Sequence, residues 1–312
     1  MAAVPADGAG TGRSVEENLA WEAQWAPRAA TVAILAGLAT IAGTLISNIA
    51  LRGRPQVTIT DGLGDLANPT NPHGLLEPLL LKLNDNLPAF TGGQIVTALS
   101  GPLTALALIY LFRAVQARNP GLGRSALIAV VAGGVASFVG GVVGPTAVAM
   151  SVSDFVSSAN HSTQAAHDAL QPSAALTAGL IAFIGRVALG LGIVLVALNA
   201  MRVGLLTRFM GMLGIMAGAF MAFPLIQLPI VQAFWLVGIG VLFLGRFPNG
   251  TPPAWETGRA EPWPTRQQML EQQGKLPGGA PAKNSPPPAA DPIGSGPERA
   301  AHVRSKKKKR RR

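Results

Sequence analysis

The chain has 312 residues, 49% hydrophobic and 13% charged, with a formal net charge of +10 and no cysteine. That balance excludes an ordinary soluble domain, and the lack of thiols excludes disulfides, thiolate metal sites and cysteine nucleophiles. The basic charge is local rather than global: from Arg246 onward bases exceed acids by nine, against a surplus of one in the 245 residues before it.

The first element is announced by SVEENLAWEAQWAPR, where Ser14 is an N-cap with Glu17 at the capping-box position. Trp21 and Trp25 follow one helical turn apart, a spacing suited to anchoring at a membrane surface. Residues 29–51 then form an apolar block about twice as long as a signal-peptide core, after three glutamates and without a small-x-small cleavage site in SNIALRG. The expectation is an uncleaved span. Further apolar blocks run over 95–115, 126–151, 174–198, 205–223 and 229–244. At about 1.5 Å rise per residue, some 20 helical residues cross about 30 Å of hydrocarbon. The blocks lack the period-2 alternation of a membrane barrel, so their backbone must be satisfied within each helix. The predicted fold is all-α, a six-helix transmembrane bundle.

Between the first two blocks, residues 74–90 form an amphipathic piece that would rest at the headgroups with Glu77, Lys82 and Asp85 turned to water. His73, in NPTNPHG, reads as a solvated turn residue. Residues 151–170 can be drawn as one helix with Val152, Phe155, Val156, Ala159, Thr163, Ala166 and Leu170 on its apolar face. Asp154, His161 and Asp168 then align at heptad spacing, about 10 Å apart and too far to share one ion, so a solvated face is favoured over a metal site.

Lipid gives helices no hydrophobic reason to associate, so contact depends on small residues that let backbones approach. The first span carries Ala39, Gly43 and Ser47, the third Gly133, Ser137 and Gly141 with Gly140 and Gly144 beside them, and the fifth Gly214, Gly218 and Ala222. Helix packing is the favoured reading of these stripes.

Arg186 stands near the middle of the fourth block, roughly 18 Å from either end, beyond the reach of snorkelling. With Ala182 and Gly190 at i−4 and i+4 it should face the interior. No Asp or Glu lies within the six blocks. Its candidate partners are Asp154 just past the third block, Ser100 and Thr104 beside Pro102, Asn48, Ser137 and the carbonyl freed by Pro145. Two readings follow, a structural hub tying helix kinks together and a watery cavity that attracts an anion, with the hub favoured.

Lysine and arginine set the orientation. Arg113, Arg118, Arg124, Arg202 and Arg208 share a side with both termini, while the opposite side carries Arg52, Arg54 and Lys82 in its long first loop and none in the segments around 153–172 and 226–230. A multi-pass inner-membrane protein with both ends cytoplasmic is expected. Residues 1–28 form its N-terminal segment, 29–245 its membrane domain and 246–312 a Pro/Gly-rich cytoplasmic tail. Residues 276–297 read as a disordered linker. RSKKKKRRR closes the tail, with Lys306, Lys307, Lys308, Lys309, Arg310, Arg311 and Arg312 offering charge to anionic lipid at the inner leaflet, or more weakly to nucleic acid or the ribosome. With no aromatic residue there, any RNA contact would be nonspecific.

Fingerprints for metalloproteases, serine hydrolases, P-loops and dinucleotide folds are absent. No catalytic residue, metal ligand or cofactor is expected. NAMRVGLLTRFMGMLGI, with FWLVGIGVLFLGRFPNGTPPAWETGRAEPWP, resembles a family of uncharacterised bacterial polytopic membrane proteins over about a third of the chain. The most specific part is PPAWETGRAEPWP, and the resemblance implies membrane placement without an activity. The expected role is that of a structural or interaction protein, not an enzyme, with membrane lipids and an unidentified protein as partners. A small transporter or channel built around Arg186 and an assembly factor using the polybasic tail are the alternatives.

Overall fold

The computed structural model of the chain describes residues 14–53, 58, 75–223, 229–247 and 250–263. The compact unit that holds them runs to Trp263. All regular structure among the described residues is helical. In chain order the helices are α1 Val15–Ala50, α2 Glu77–Asp85, α3 Leu87–Arg118, α4 Arg124–Ser157, α5 Thr163–Leu170, α6 Ser173–Arg202, α7 Arg208–Ala222, α8 Pro229–Phe243 and α9 Pro253–Thr257.

Helix α1 starts where its capping box places it. The Ser14 Oγ accepts from the Glu17 N–H at 3.2 Å, and the Ser14 N–H donates to the Glu17 carboxylate at 2.9 Å. Its inward face is made of small residues, Ala29, Ala33, Ala36, Thr40, Gly43 and Ser47, while Leu35, Leu38, Ile41, Leu45 and Ile49 lie exposed. Large side chains outside and small ones inside invert the pattern of a water-soluble core. It is the pattern of helices packed against each other within lipid.

The six longer helices form a closed ring in which α1 packs on α3, α3 on α4, α4 on α6, α6 on α7, α7 on α8, and α8 back on α1. Glycine permits the closest approaches. A Cβ added at Gly133 would stand 2.5 Å from the Leu189 backbone nitrogen, and one at Gly43 would stand 2.5 Å from that of Thr97. The stripe of Gly214, Gly218 and Ala222 on α7 is buried, as expected of a packing face.

Helices α1, α3, α4 and α6 are long and apolar enough to cross a bilayer. Helices α7 and α8 are not. Each has 15 residues, about 22 Å of helix against about 30 Å of hydrocarbon. The expectation of six spans therefore holds for four. The contacts of the short pair set its depth: Gly211 lies against Met201, Gly214 against Ala197, and Ala222 against Gly190, so α7 covers only the half of α6 that ends at Arg202. Helix α8 returns beside the middle of α1, with Gly37 against Ala233 and Gly240 against Ala30.

At the opposite end, residues 151–170 are two elements rather than one helix. Helix α4 ends at Ser157, and α5 restarts after Ser162, whose hydroxyl accepts from the Ala165 N–H at 3.3 Å. The Asn160 side chain takes the Ser162 N–H at 3.1 Å. Short polar side chains here bond the backbone locally and outcompete the helix. Leu80 and Leu83 of α2 pack with Val152, Phe155, Ala166 and Ala169 to form a small second core over this end.

Candidate functional site

A cavity of about 730 Å³ lies where the ring helices converge, in the half of the bundle away from the N-terminus. Arg186 on α6, Asn48 and Ser47 on α1, Ser100 on α3, and Ser137 with Pro145 on α4 all line it. The tip of the short hairpin contributes Phe220, Met221 and Gln232. Helix α6 places Arg186 level with Ser137, because Gly185 is in close contact with the Ser137 backbone.

The polar groups divide by what they have left to offer. Thr40, Thr44, Thr97 and Ser137 each donate their hydroxyl to the carbonyl four residues back, at 2.7 to 3.0 Å. They present only acceptor oxygens. Asn48 likewise spends an amide N–H on Thr44. The Ser47 hydroxyl and the Gln232 Nε2 are buried without a partner among the described residues. Arg186 forms no ion pair or hydrogen bond with any described residue, and among the described residues that line the cavity it is the one charged side chain. The negative end of α7 and the positive end of α8 meet beside it and offset one another, so the guanidinium sets the sign of the site.

Of the residues expected around Arg186, Ser100, Asn48, Ser137 and Pro145 are in the cavity wall. Thr104 is fully buried and outside it, its hydroxyl unpartnered among the described residues. Asp154 is exposed, 17 residues beyond Ser137 on α4, about 25 Å along the axis. It is not the counter-ion of Arg186. Lys306, Lys307, Lys308, Lys309, Arg310, Arg311 and Arg312 lie outside the described residues, as does His73.

Beneath the cavity the bundle is closed. Leu108, Leu111, Phe112, Leu189, Ile193 and Leu236 are fully buried, and the Trp235 indole N–H donates to the Met210 carbonyl at 3.0 Å. At the very end lies a cluster that pattern reading missed. The Arg118 guanidinium grips both oxygens of Glu22, donates to the Ala114 carbonyl at 2.9 Å, and reaches the Ala254 carbonyl at 2.7 and 3.1 Å. Trp255 stacks on Tyr110 with centroids 6.0 Å apart and on the Arg118 guanidinium at 5.6 Å, while its N–H donates to the Leu205 carbonyl at 2.9 Å. Trp263 does the same to Leu206 at 2.8 Å. The signal for this clamp was present as two tryptophans set among prolines. Trp21 joins the cluster, stacked on Tyr110 at 5.5 Å, whereas Trp25 stays outside under Arg28.

At the other end, His161 corrects a second expectation. It sits in the α4–α5 turn, with Nδ1 against the Glu77 carboxylate and Nε2 at 3.0 Å from the Ser158 carbonyl. Glu77 is buried rather than turned to water. The bond to Glu77, then that to Ser158, raises the His161 pKa above its ordinary value against an opposing effect of burial. Among the described residues no group of three metal-ligating side chains occurs.

No family model, curated protein or solved structure matches this chain.

Proposed function

We propose that this chain is an inner-membrane protein that binds an anion in its intramembrane cavity and serves as a small carrier or channel for it. One observation carries the reading: Arg186 stands at mid-span in a cavity of about 730 Å³ with no hydrogen-bond or ion-pair partner among the described residues. A charge at that depth costs several kcal/mol unless water or a counter-ion meets it. The cavity has room for roughly two dozen waters at about 30 Å³ each. A structural hub would instead spend its guanidinium on neighbouring carbonyls, as Arg118 does at the end of the bundle. The cavity wall offers hydroxyls, amides and one cation, groups that bind rather than break bonds, and we assign the protein no reaction.

In the same reading the chain has four spans and a half-depth hairpin, α7 and α8, that enters and leaves on the side of the termini. The arginines at 113, 118, 124, 202 and 208 put that side in the cytoplasm. The likeness to uncharacterised bacterial polytopic proteins in PPAWETGRAEPWP fits this placement. The polybasic residues 306–312 serve as an inner-leaflet contact.

The test is ligand-dependent melting of the full-length protein in nonionic detergent, scanned over a panel of inorganic and organic anions. A ligand at about 100 times its Kd adds about 2.7 kcal/mol of stability. At least one anion should raise the melting temperature of the wild type and leave Arg186→Gln unchanged. If every anion leaves the wild type unmoved, the reading fails.

A further inference from the structure

The ring of helices is uneven, and among the described residues the unevenness leaves a side opening. On the N-terminal half of the bundle, α7 and α8 fill the place between α6 and α1. Ala222 already stands against Gly190, so from Arg186 toward Ser173 no described helix separates α6 from α1. The two do not pack extensively against each other. The edges of the opening are residues that face both ways. On α6, Gly179, Phe183 and Arg186 line the cavity and are also exposed, with Phe183 at 46%. A Cβ added at Gly179 would meet nothing within 4 Å. On α1, Asn48 likewise belongs to the wall and to the outer surface.

What lies outside this opening is read from the flanking side chains. Leu45, Ile46 and Ile49 on α1, with Leu180 and Ile184 on α6, are exposed at the same level. They present hydrocarbon to hydrocarbon, so whatever passes between α1 and α6 comes from the bilayer interior. Within the cavity, Phe90, Phe183, Phe220, Met221 and Leu51 provide apolar wall. Among the described residues, the donors left unspent in the wall include the Arg186 guanidinium, the Gln232 amide and the Ser47 hydroxyl. The one cation among the described wall residues, with no described acid beside it, is neutralised by one negative charge.

We infer that the ligand is a monoanionic amphiphile from the leaflet opposite the termini, its head held on Arg186 and its chain leaving through the gap between α1 and α6. This rests on the anion-binding reading above and adds the source and class of the ligand. A phosphodiester or carboxylate head fits the fork of a guanidinium in two parallel hydrogen bonds. The apolar wall accepts the first part of the chain, and the buried core beneath parts the cavity from the end of the bundle that holds Arg118.

The experiment pairs each amphiphile with its own water-soluble head. The full-length protein is purified in nonionic detergent, and binding is measured for oleate and phosphatidylglycerol beside acetate and dimethyl phosphate at matched concentrations. At least one amphiphile should bind saturably while its soluble head does not. Arg186→Gln should weaken that binding about tenfold or more, the loss of one charge-assisted pair, and Arg186→Lys should restore part of it. Gly179→Trp, which fills the opening and leaves Arg186 in place, should weaken the amphiphile as well. Without ligand Arg186→Gln should melt with the wild type, because the side chain holds no described neighbour. If a soluble head binds as tightly as its amphiphile through Arg186, the cavity fills from water, and this inference falls while anion binding stands. Amphiphile binding that ignores Arg186 also overturns it. If nothing binds through Arg186, both readings fall together.

Discussion

Arg118 and Glu22, 96 positions apart in the chain, form a two-pronged ion pair with side chains only 1% and 5% exposed. All five N–H groups of the guanidinium are used, two on the carboxylate and three on the carbonyls of Ala114 and Ala254. Removing one partner of such a pair leaves the other charge buried and costs about 3–5 kcal/mol. Glu22→Gln and Arg118→Met should each lower the melting temperature of the purified protein sharply. The double variant Glu22→Leu with Arg118→Met should recover much of the Glu22 loss, since no charge then remains unpaired. Equal damage from the double and single variants would show that the carbonyl bonds to α9, and not the ion pair, hold this end together.

The contrast between the two arginines explains what the sequence could and could not reveal. Arg186 was legible because it interrupts an apolar block, and its polar neighbours Ser100, Asn48, Ser137 and Pro145 were legible as interruptions of the same kind. Arg118 looked like an ordinary flanking base of the positive-inside pattern. Its partner Glu22 precedes the apolar block, and the turn that places Ala254 over both is set by long-range contact. Helix existence is read from composition, and four of the six blocks are helices long and apolar enough to span, while 205–223 and 229–244 hold helices of 15 residues each. Apolar content alone does not tell a full span from the half-depth hairpin proposed here. The segment 151–170 failed for a local reason, since Ser158, Asn160 and Ser162 each bond nearby backbone and break a pattern whose apolar periodicity continues through them.

Acidity should tighten the end of the bundle that carries α2 and α5. Both ring nitrogens of His161 face acceptors, the Glu77 carboxylate and the Ser158 carbonyl, so the imidazolium satisfies both. A histidine whose folded pKa is raised contributes stability that is full below its ordinary value of about 6.5 and is lost as pH rises through the folded value. Hydrogen exchange in α5 should therefore be slowest below about pH 6.5 and speed up as the pH rises through the folded value. His161→Gln should flatten that profile. An α5 exchange profile free of pH dependence, after correction for intrinsic exchange, would refute the latch.

The glycines of α4 and α6 divide into those that carry packing and those that do not. At Gly133 an added methyl group would stand 2.5 Å from the Leu189 nitrogen and 2.8 Å from the Gly185 carbonyl, both backbone atoms that cannot turn aside. Gly133→Ala should cost about 1–3 kcal/mol, the range for overpacking. Gly179→Ala meets open space and should leave stability within about 0.5 kcal/mol of the wild type, as for surface changes. Thermal melting of the two variants side by side checks the difference, and equal melting temperatures would contradict the close α4–α6 approach.

The depth of the α7–α8 hairpin is the feature on which the side opening depends, and the chain makes it easy to measure, since it contains no native cysteine. Phe223, just past α7, and Ile230, in the first turn of α8, are 64% and 67% exposed. If α7 and α8 crossed the bilayer fully, cysteines at these two positions would reach water on the side opposite the termini and react there with a membrane-impermeant maleimide. A hairpin of 15-residue helices that turns near mid-span keeps both in hydrocarbon. Thiolates do not form there, and impermeant reagent does not arrive. Phe223→Cys and Ile230→Cys should resist labelling from either side of intact vesicles and react once detergent is added. A cysteine at Ser158, exposed in the α4–α5 turn, should label readily from the side opposite the termini and serve as the positive control. Prompt labelling of Phe223→Cys from that same side would restore two full spans, close the gap between α1 and α6 with helix, and leave the cavity without its lateral entrance.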